Sequence, residues 1–289
     1  MCLKEIRDKG DDIKLHIITP KGRNFRMHVE SNYLDFYLQN AYENYTQDLL
    51  LNFLKDNMLF IDIGAHYGYY TLLLGTRYPY CKIISFEPTL ENFQILAMNA
   101  KLNDLKNVEI FNLDISDTSE LNNSNVTECS SHYDYYVSEN AGLTAKTITL
   151  DDLLKKDISK IPIIMRICEE GHEMLILDRM KDILEKSEDI KLFLKFNPEV
   201  LKRVNIKPED LLKKIKKFGF DIYAIDDELR RTYKLVDNNY DNWSKYFNYE
   251  NSKKNNFNIL CMKKEKSLSM CFFFPSPLLG VQQKVFWNW

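Results

Sequence analysis

No run of about 18 uninterrupted apolar residues occurs in this chain, which excludes a helix built to cross a bilayer. The opening residues, MCLKEIRDKGDDIKLHI, are charged and lack the apolar core of a secretory signal. Together these absences give the expectation of a cytoplasmic protein. A CxxC pair is missing too. The six cysteines, at positions 2, 81, 129, 168, 261 and 271, have neither zinc-like spacing nor the density of a disulfide framework. Cys81 and Cys261 fall in apolar, strand-like runs, where a reduced and buried thiol is expected. A basic surplus is also lacking: 39 Lys and Arg stand against 42 Asp and Glu, for a formal charge of −3. No nucleic-acid partner is therefore expected.

What the chain does have is apolar material. With 45% hydrophobic and 13% aromatic residues over 289 positions, it can fill one large domain with an appendage. Residues 1–40 read as an N-terminal hairpin or extension. Lys14–Ile18 and Phe25–Val29 are strand-like around a turn at Pro20–Gly22, and Phe25, Met27 and Val29 alternate with polar neighbours. Residues 41–264 read as one α/β domain, and 265–289 as an aromatic tail broken by Pro275, Pro277 and Gly280.

Within the domain, ENYTQDLLLNFLK (43–55) has helical spacing, and MLFIDIG (58–64) is a short apolar run closed by glycine, as in a buried parallel strand. A helix over Tyr69–Arg77, a strand in CKIISFE (81–87), a helix over Leu90–Asn103 and a strand in VEIFNLD (108–114) continue the alternation. The polar stretch 115–142 reads as an excursion, with Tyr133, Tyr135 and Tyr136 placed to line an acceptor lid. TITLDDLLKK (147–156) reads as a strand end and a capped helix, and IPIIMRI (161–167) as another buried strand. Residues 171–185 follow as one helix, KLFLKF (191–196) as a strand, 208–219 as a helix, FDIYAI (220–225) as a strand, and NFNILCMKK (256–264) as the last strand. The alternation predicts a Rossmann-like, mostly parallel, doubly wound sheet with an antiparallel C-terminal strand.

The chemistry concentrates in FIDIGAHYGYYT (60–71). A strand ends near Asp62, and Gly64 and Gly68 occupy the turn into a helix, where a ligand approaches backbone that a Cβ would block. The helix start offers free N–H groups to a carboxylate. DIGAHYG is not the GxGxxG of a dinucleotide fold, and the acid two positions before the first glycine suits a ligand with an ammonium rather than a pyrophosphate. Glu87 closes the next strand, 25 positions after Asp62, where a carboxylate can take both ribose hydroxyls. The plain alternative is a pair of ordinary strand-end carboxylates. Tyr67, Tyr69 and Tyr70 have two readings, a stacking platform or packing against the sheet.

From about Ala41 to Met262 the chain resembles the FkbM-type S-adenosylmethionine-dependent methyltransferases. The likeness lies in the order of AYENYTQDLLLNFLKDNMLFIDIGAHYGYYTLLL, ISFEPTLENFQILAMNAKLNDLKNVEIFNLDISD, TITLDDLL, MRICEEGHEMLIL, LFLKFNPEVL and FGFDIYAI. It implies a class I methyltransferase fold and S-adenosylmethionine as cofactor. By resemblance, Asp62, Gly64, Ala65, His66, Gly68 and Glu87 hold that cofactor, with Asn112, Asp114 and Asp117 near its adenine. It also implies a small-molecule or glycan acceptor, methylated on a hydroxyl; no residue is assigned as a metal ligand.

Two positions depart from the family pattern. MRICEEGHE stands where lysine-x-aspartate-x-glutamate-glycine-x-glutamate is usual: Arg166 keeps the lysine's charge, and Glu170, Gly171 and Glu173 match, but Cys168 takes the aspartate position. Lys195 stands where an acid is usual. A thiol does not replace a carboxylate as base at the same pKa. Glu170 is the candidate base, with His172 as the alternative because imidazole titrates near neutrality. Competing readings are a cofactor-binding or interaction module without catalysis, motivated by Cys168 and Lys195, and a nicotinamide-dependent oxidoreductase, which the glycine spacing disfavours.

Overall fold

A computed structural model describes residues 13–38, 42–115, 160–235 and 257–263. The excursion at 115–142 beyond its first residue, the strand and helix expected at 147–156 up to 156, and the aromatic tail lie outside the described residues.

The chain opens with an antiparallel hairpin, β1 (Ile13–Ile18) and β2 (Phe25–Glu30), in which Ile13 pairs with Glu30 and Ile18 with Phe25. Phe25, Met27 and Val29 point into the core while their neighbours face outward, as the alternation predicts. An eight-stranded sheet follows. Its strands are β3 (Leu59–Ile63), β4 (Lys82–Phe86), β5 (Val108–Phe111), β6 (Ile163–Ile167), β7 (Ile190–Phe196), β8 (Phe220–Asp226), β9 (Arg231–Leu235) and β10 (Phe257–Lys263), in the order β5-β4-β3-β6-β7-β10-β8-β9. From β5 to β7 all neighbours are parallel; β10 runs antiparallel between β7 and β8, and β9 is antiparallel to β8. This is the expected Rossmann-like sheet. The chain order reverses beside β3, so the carboxyl ends of β3, β4 and β6 meet at the switch point where such folds bind ligands.

Both faces of the sheet are covered, so β3 and β6 are buried along their whole length and read as continuous apolar runs. On one face, Leu59, Ile61 and Ile63 of β3 join α5 (Glu173–Arg179), α6 (Lys181–Lys186) and α8 (Pro208–Lys217) through Ile176, Leu177, Leu184, Leu211 and Ile215. On the other, Phe60 joins α2 (Asn44–Phe53), α3 (Tyr69–Arg77) and α4 (Leu90–Leu102) through Leu50, Leu72 and Leu96. Ile18, Phe25, Met27 and Val29 belong to that second core, so hairpin and sheet bury their apolar side chains together.

Two asparagines four positions apart, Asn99 on α4 and Asn103 at its C-cap, fasten the hairpin. Asn99 accepts from the His28 N–H (2.6 Å) and donates to the His28 carbonyl (3.0 Å). Asn103 repeats the pattern on Arg26, at 2.8 and 2.6 Å. Their amides thus imitate a strand alongside β2.

The structure also differs from the sequence expectation. The helix expected over 171–185 is two helices, broken where Met180 takes φ −117° and ψ 24°. The bend keeps Ile176, Leu177, Met180, Ile183 and Leu184 all buried against the sheet. A helix α1 (Ser31–Leu38), a short helix α7 (Pro198–Arg203) and strand β9 have no counterpart in the expectation. Asn197 caps α7 by accepting from the Val200 N–H (3.3 Å). β9 is an edge strand with one fully buried residue and no apolar alternation to announce it.

Candidate active site

The turn after β3 is built around two glycines. Gly64 has φ +76°, and a Cβ there would lie 2.7 Å from the Cys168 carbonyl oxygen and 2.9 Å from Glu169 Oε1. Gly68 has φ +89°, and its Cβ would run into Leu96 Cδ1. Both positions therefore demand glycine on conformation and on space. The Gly64 and Ala65 N–H groups donate to the Phe86 carbonyl at 3.0 Å each, which pins the turn to the end of β4. Gly68 caps α3 without any side-chain acceptor, so the first-turn amides of that helix face the turn unclaimed by a cap.

Glu87 meets this turn from β4. It is 4% exposed, and its Oε2 accepts the His66 N–H at 2.7 Å, while Oε1 accepts from Thr89 N–H (3.1 Å) and Asn92 Nδ2 (3.2 Å). Burial pushes the Glu87 carboxyl up, against the pull of these donors. Asn112 donates to the carbonyls of Glu87 (2.8 Å) and Pro88 (2.9 Å), and so holds the same strand end from behind. Asp114 is half-buried and electrostatically close to Glu169. Asp117 lies outside the described residues.

Asp62 is fully buried beneath the turn. Arg166 donates to its Oδ1 at 2.9 Å and Thr71 to its Oδ2 at 3.2 Å. The Arg166 guanidinium lies over the Tyr70 ring, 4.5 Å from its centre, and the Tyr70 hydroxyl donates to Glu43 at 2.7 Å. Lys195 donates to the other Glu43 oxygen at 2.5 Å. Burial alone would raise the Glu43 carboxyl; Lys195 and Arg166 overcome it and hold it at about 2. Lys195, the family's odd residue, is thus half of a buried ion pair.

After β6 the chain presents five polar residues, Cys168, Glu169, Glu170, His172 and Glu173, interrupted by Gly171. Cys168 is half-buried, and burial pushes its thiol up. Glu169 stands against Gly64, with burial, then Glu87 and Asp114, raising its carboxyl to about 7. Glu170 is exposed and accepts from Asn197 Nδ2 at 2.7 Å, tying this loop to α7. His172 is exposed at the start of α5. Glu173 is fully buried: its Oε2 accepts the Gly171 N–H at 2.9 Å, its Oε1 has no partner among the described residues, and burial raises it to about 7.

Aromatic side chains wall the turn. Tyr67, Tyr69 and Tyr70 are all buried, which favours packing over a platform. The His66 ring stacks on Tyr67 with centres 3.9 Å apart and meets Tyr33 of α1 at 4.9 Å. Burial lowers the His66 imidazole to about 4, so it is neutral at pH 7. Asn99 also donates to the Tyr67 carbonyl at 2.9 Å, connecting the turn to the hairpin.

The structure therefore brings Gly64, Ala65, His66, Gly68 and Glu87 into one turn, with Asn112 behind it and Asp62 below. Glu43 and Glu169 have no place in the sequence expectation. Glu43 lies outside the quoted chemistry, and Glu169 occupies an unconstrained position of the family pattern. Among the described residues no group of three His, Cys, Asp or Glu side chains is placed to hold a metal, and no helix is long and apolar enough to cross a membrane.

Comparison with known proteins adds three findings. The sequence model of the family described as Vibrio cholerae RfbT protein matches residues 21–234. A curated relative, methyltransferase sdnD of Sordaria araneosa, is 37% identical over 51 residues, which is 18% of this chain and 20% of that protein. The chain thus matches about a fifth of that relative's length. Similar solved structures include a SAM-dependent O-methyltransferase from Thermotoga maritima, with 12% identity, a TM-score of 0.42, and 92% of this chain and 83% of that one covered. A SAM-dependent methyltransferase from Aquifex aeolicus has 11% identity and a TM-score of 0.44, with 80% and 95% covered.

Proposed function

The chain belongs to the Vibrio cholerae RfbT protein family, and from that premise we propose that it is an S-adenosylmethionine-dependent methyltransferase of the FkbM type. We propose further that it transfers the methyl group to a hydroxyl oxygen of a sugar or another small molecule. One observation supports the cofactor half of this reading: a buried carboxylate at the end of β4, Glu87, locked by the His66 N–H against a turn whose two glycines leave no room for a Cβ.

The residues fit the cofactor. Glu87 is the acceptor for ribose hydroxyls, and the first-turn amides of α3 are the donors for the methionine carboxylate. Ala65 and His66 line the turn, and Asn112 and Asp114 flank the adenine. Asp62 acts from below, because Arg166 and Thr71 claim its carboxylate and fix the end of β3. When bound, the cofactor supplies a methyl group on a sulfonium. This chain's part is to align the acceptor and exclude water, an ordering effect of roughly 7–11 kcal/mol. Glu170 or His172 removes the hydroxyl proton, a contribution of roughly 10²–10⁴ in rate.

Calorimetry tests the assignment. S-adenosylhomocysteine should bind the wild type, and Glu87→Ala should lose about 1–3 kcal/mol of that binding through unpaired ribose hydroxyls. A wild type that does not bind it, or a variant that binds as well as the wild type, would sink the proposal. Binding without transfer is a second reading, favoured by Cys168 in the aspartate position. It requires that labelled S-adenosylmethionine binds while sugars and other hydroxyl acceptors stay unlabelled.

A further inference from the structure

The glycine turn has carboxylates on both flanks, and only one of them is explained. β4 and β6 are the two strands beside β3, so Glu87 and Glu169 approach Gly64 from opposite sides. Glu87 already accepts from three donors. Glu169 is different: its Oε1 lies 2.9 Å from where a Gly64 Cβ would be, yet its carboxylate has no hydrogen bond or ion pair among the described residues. Arg166, the cation that pulls its carboxyl down, is already held by Asp62. A half-buried carboxylate facing three other carboxylates, Glu87, Asp114 and Glu173, lacks a positive partner of its own. Glu170, one position on, is turned out to solvent and bound to Asn197.

Resting on the methyltransferase assignment, we infer that Glu169 is the residue that binds the α-ammonium of the cofactor's methionine moiety. That moiety carries its carboxylate and its ammonium on one carbon. A carboxylate held at the start of α3 would leave the ammonium to an acid beside the same turn, and Glu169 is the carboxylate that stands against Gly64. In the family pattern the acid is one position earlier. Here Cys168 holds that position, directs its carbonyl at Gly64, and leaves the charge to its neighbour.

The inference has a proton signature. In the free protein the groups facing Glu169 are Glu87, Asp114 and Glu173, which raise its carboxyl, and Arg166, which lowers it; with burial they place it at about 7. An ammonium favours the charged form, so binding near neutral pH releases a proton from this group.

Calorimetry on the full chain, with S-adenosylhomocysteine and with 5′-methylthioadenosine, which lacks the amino acid, tests it in buffers of different ionisation enthalpy. Glu169→Gln is expected to weaken S-adenosylhomocysteine at least tenfold, to change 5′-methylthioadenosine less than twofold, and to abolish the proton release near pH 7. Glu169→Asp should restore part of the lost affinity. Unchanged S-adenosylhomocysteine binding in Glu169→Gln, or an equal loss of both ligands, would overturn the inference while leaving the methyltransferase assignment standing. If the wild type binds neither ligand, that assignment falls and takes the inference with it.

Discussion

Glu43 and Lys195 are 152 positions apart in sequence and bonded in the fold. The acid's folded pKa, about 2, is depressed from its ordinary value of 4.5. A depressed acid contributes stability that is complete above the unfolded value and is lost as pH falls toward the folded one. The window is therefore from about 4.5 down to about 2. Lys195→Met should leave buried Glu43 without its directly bonded cation, with Arg166 still acting on it, and cost about 3 kcal/mol at pH 7 in urea denaturation. The variant should also lose most of the wild type's decline in stability across that acid window. An unchanged acid limb would show that the pair does not govern it. The sequence marks Lys195 as an anomaly, but nothing local can name its partner, because a pairing at that separation is decided by how β7 and the start of α2 pack. Glu169 escaped for another reason: a residue in an unconstrained position of a pattern carries no sign until the glycine it faces is seen.

Among the elements, those that bury both sides were legible. β3, β4, β6 and β7 are short apolar runs, and sheet position leaves them little alternative. α5 and α6 read as one helix because their apolar period runs unbroken through Met180; the break there is a backbone change at a buried position, which periodicity does not encode. α4 has a second task that its sequence conceals, since Asn99 looks like an ordinary polar helix residue. It is fully buried and makes bonds to His28 on both sides of the peptide and to the Tyr67 carbonyl. Asn99→Ala should cost roughly 2–3 kcal/mol, read as a lower midpoint in thermal or urea unfolding, because those backbone groups lose their partner. A loss below about 0.5 kcal/mol would mean that water replaces the amide without penalty.

At the scale of the molecule, the hairpin that the sequence sets apart within residues 1–40 shares a core with the α/β domain, and this region reaches the glycine turn through Asn99 and through Tyr33, which meets His66. Two regions joined in this way bias each other reciprocally. Saturating S-adenosylhomocysteine should therefore slow amide hydrogen exchange not only over Gly64–Thr71 but also in β1 and β2, by about tenfold or more. Protection confined to the turn would show that the hairpin opens independently of it.

A two-stranded ribbon leaves peptide groups along each margin, and such margins invite a stranger's backbone to zip on. Along β2 that invitation is withdrawn at Arg26 and His28, where α4 offers carboxamides in place of another chain's peptides. The side chains that moor the ribbon also close that margin to growth, so this stretch of β2 is sealed against recruitment into fibrils.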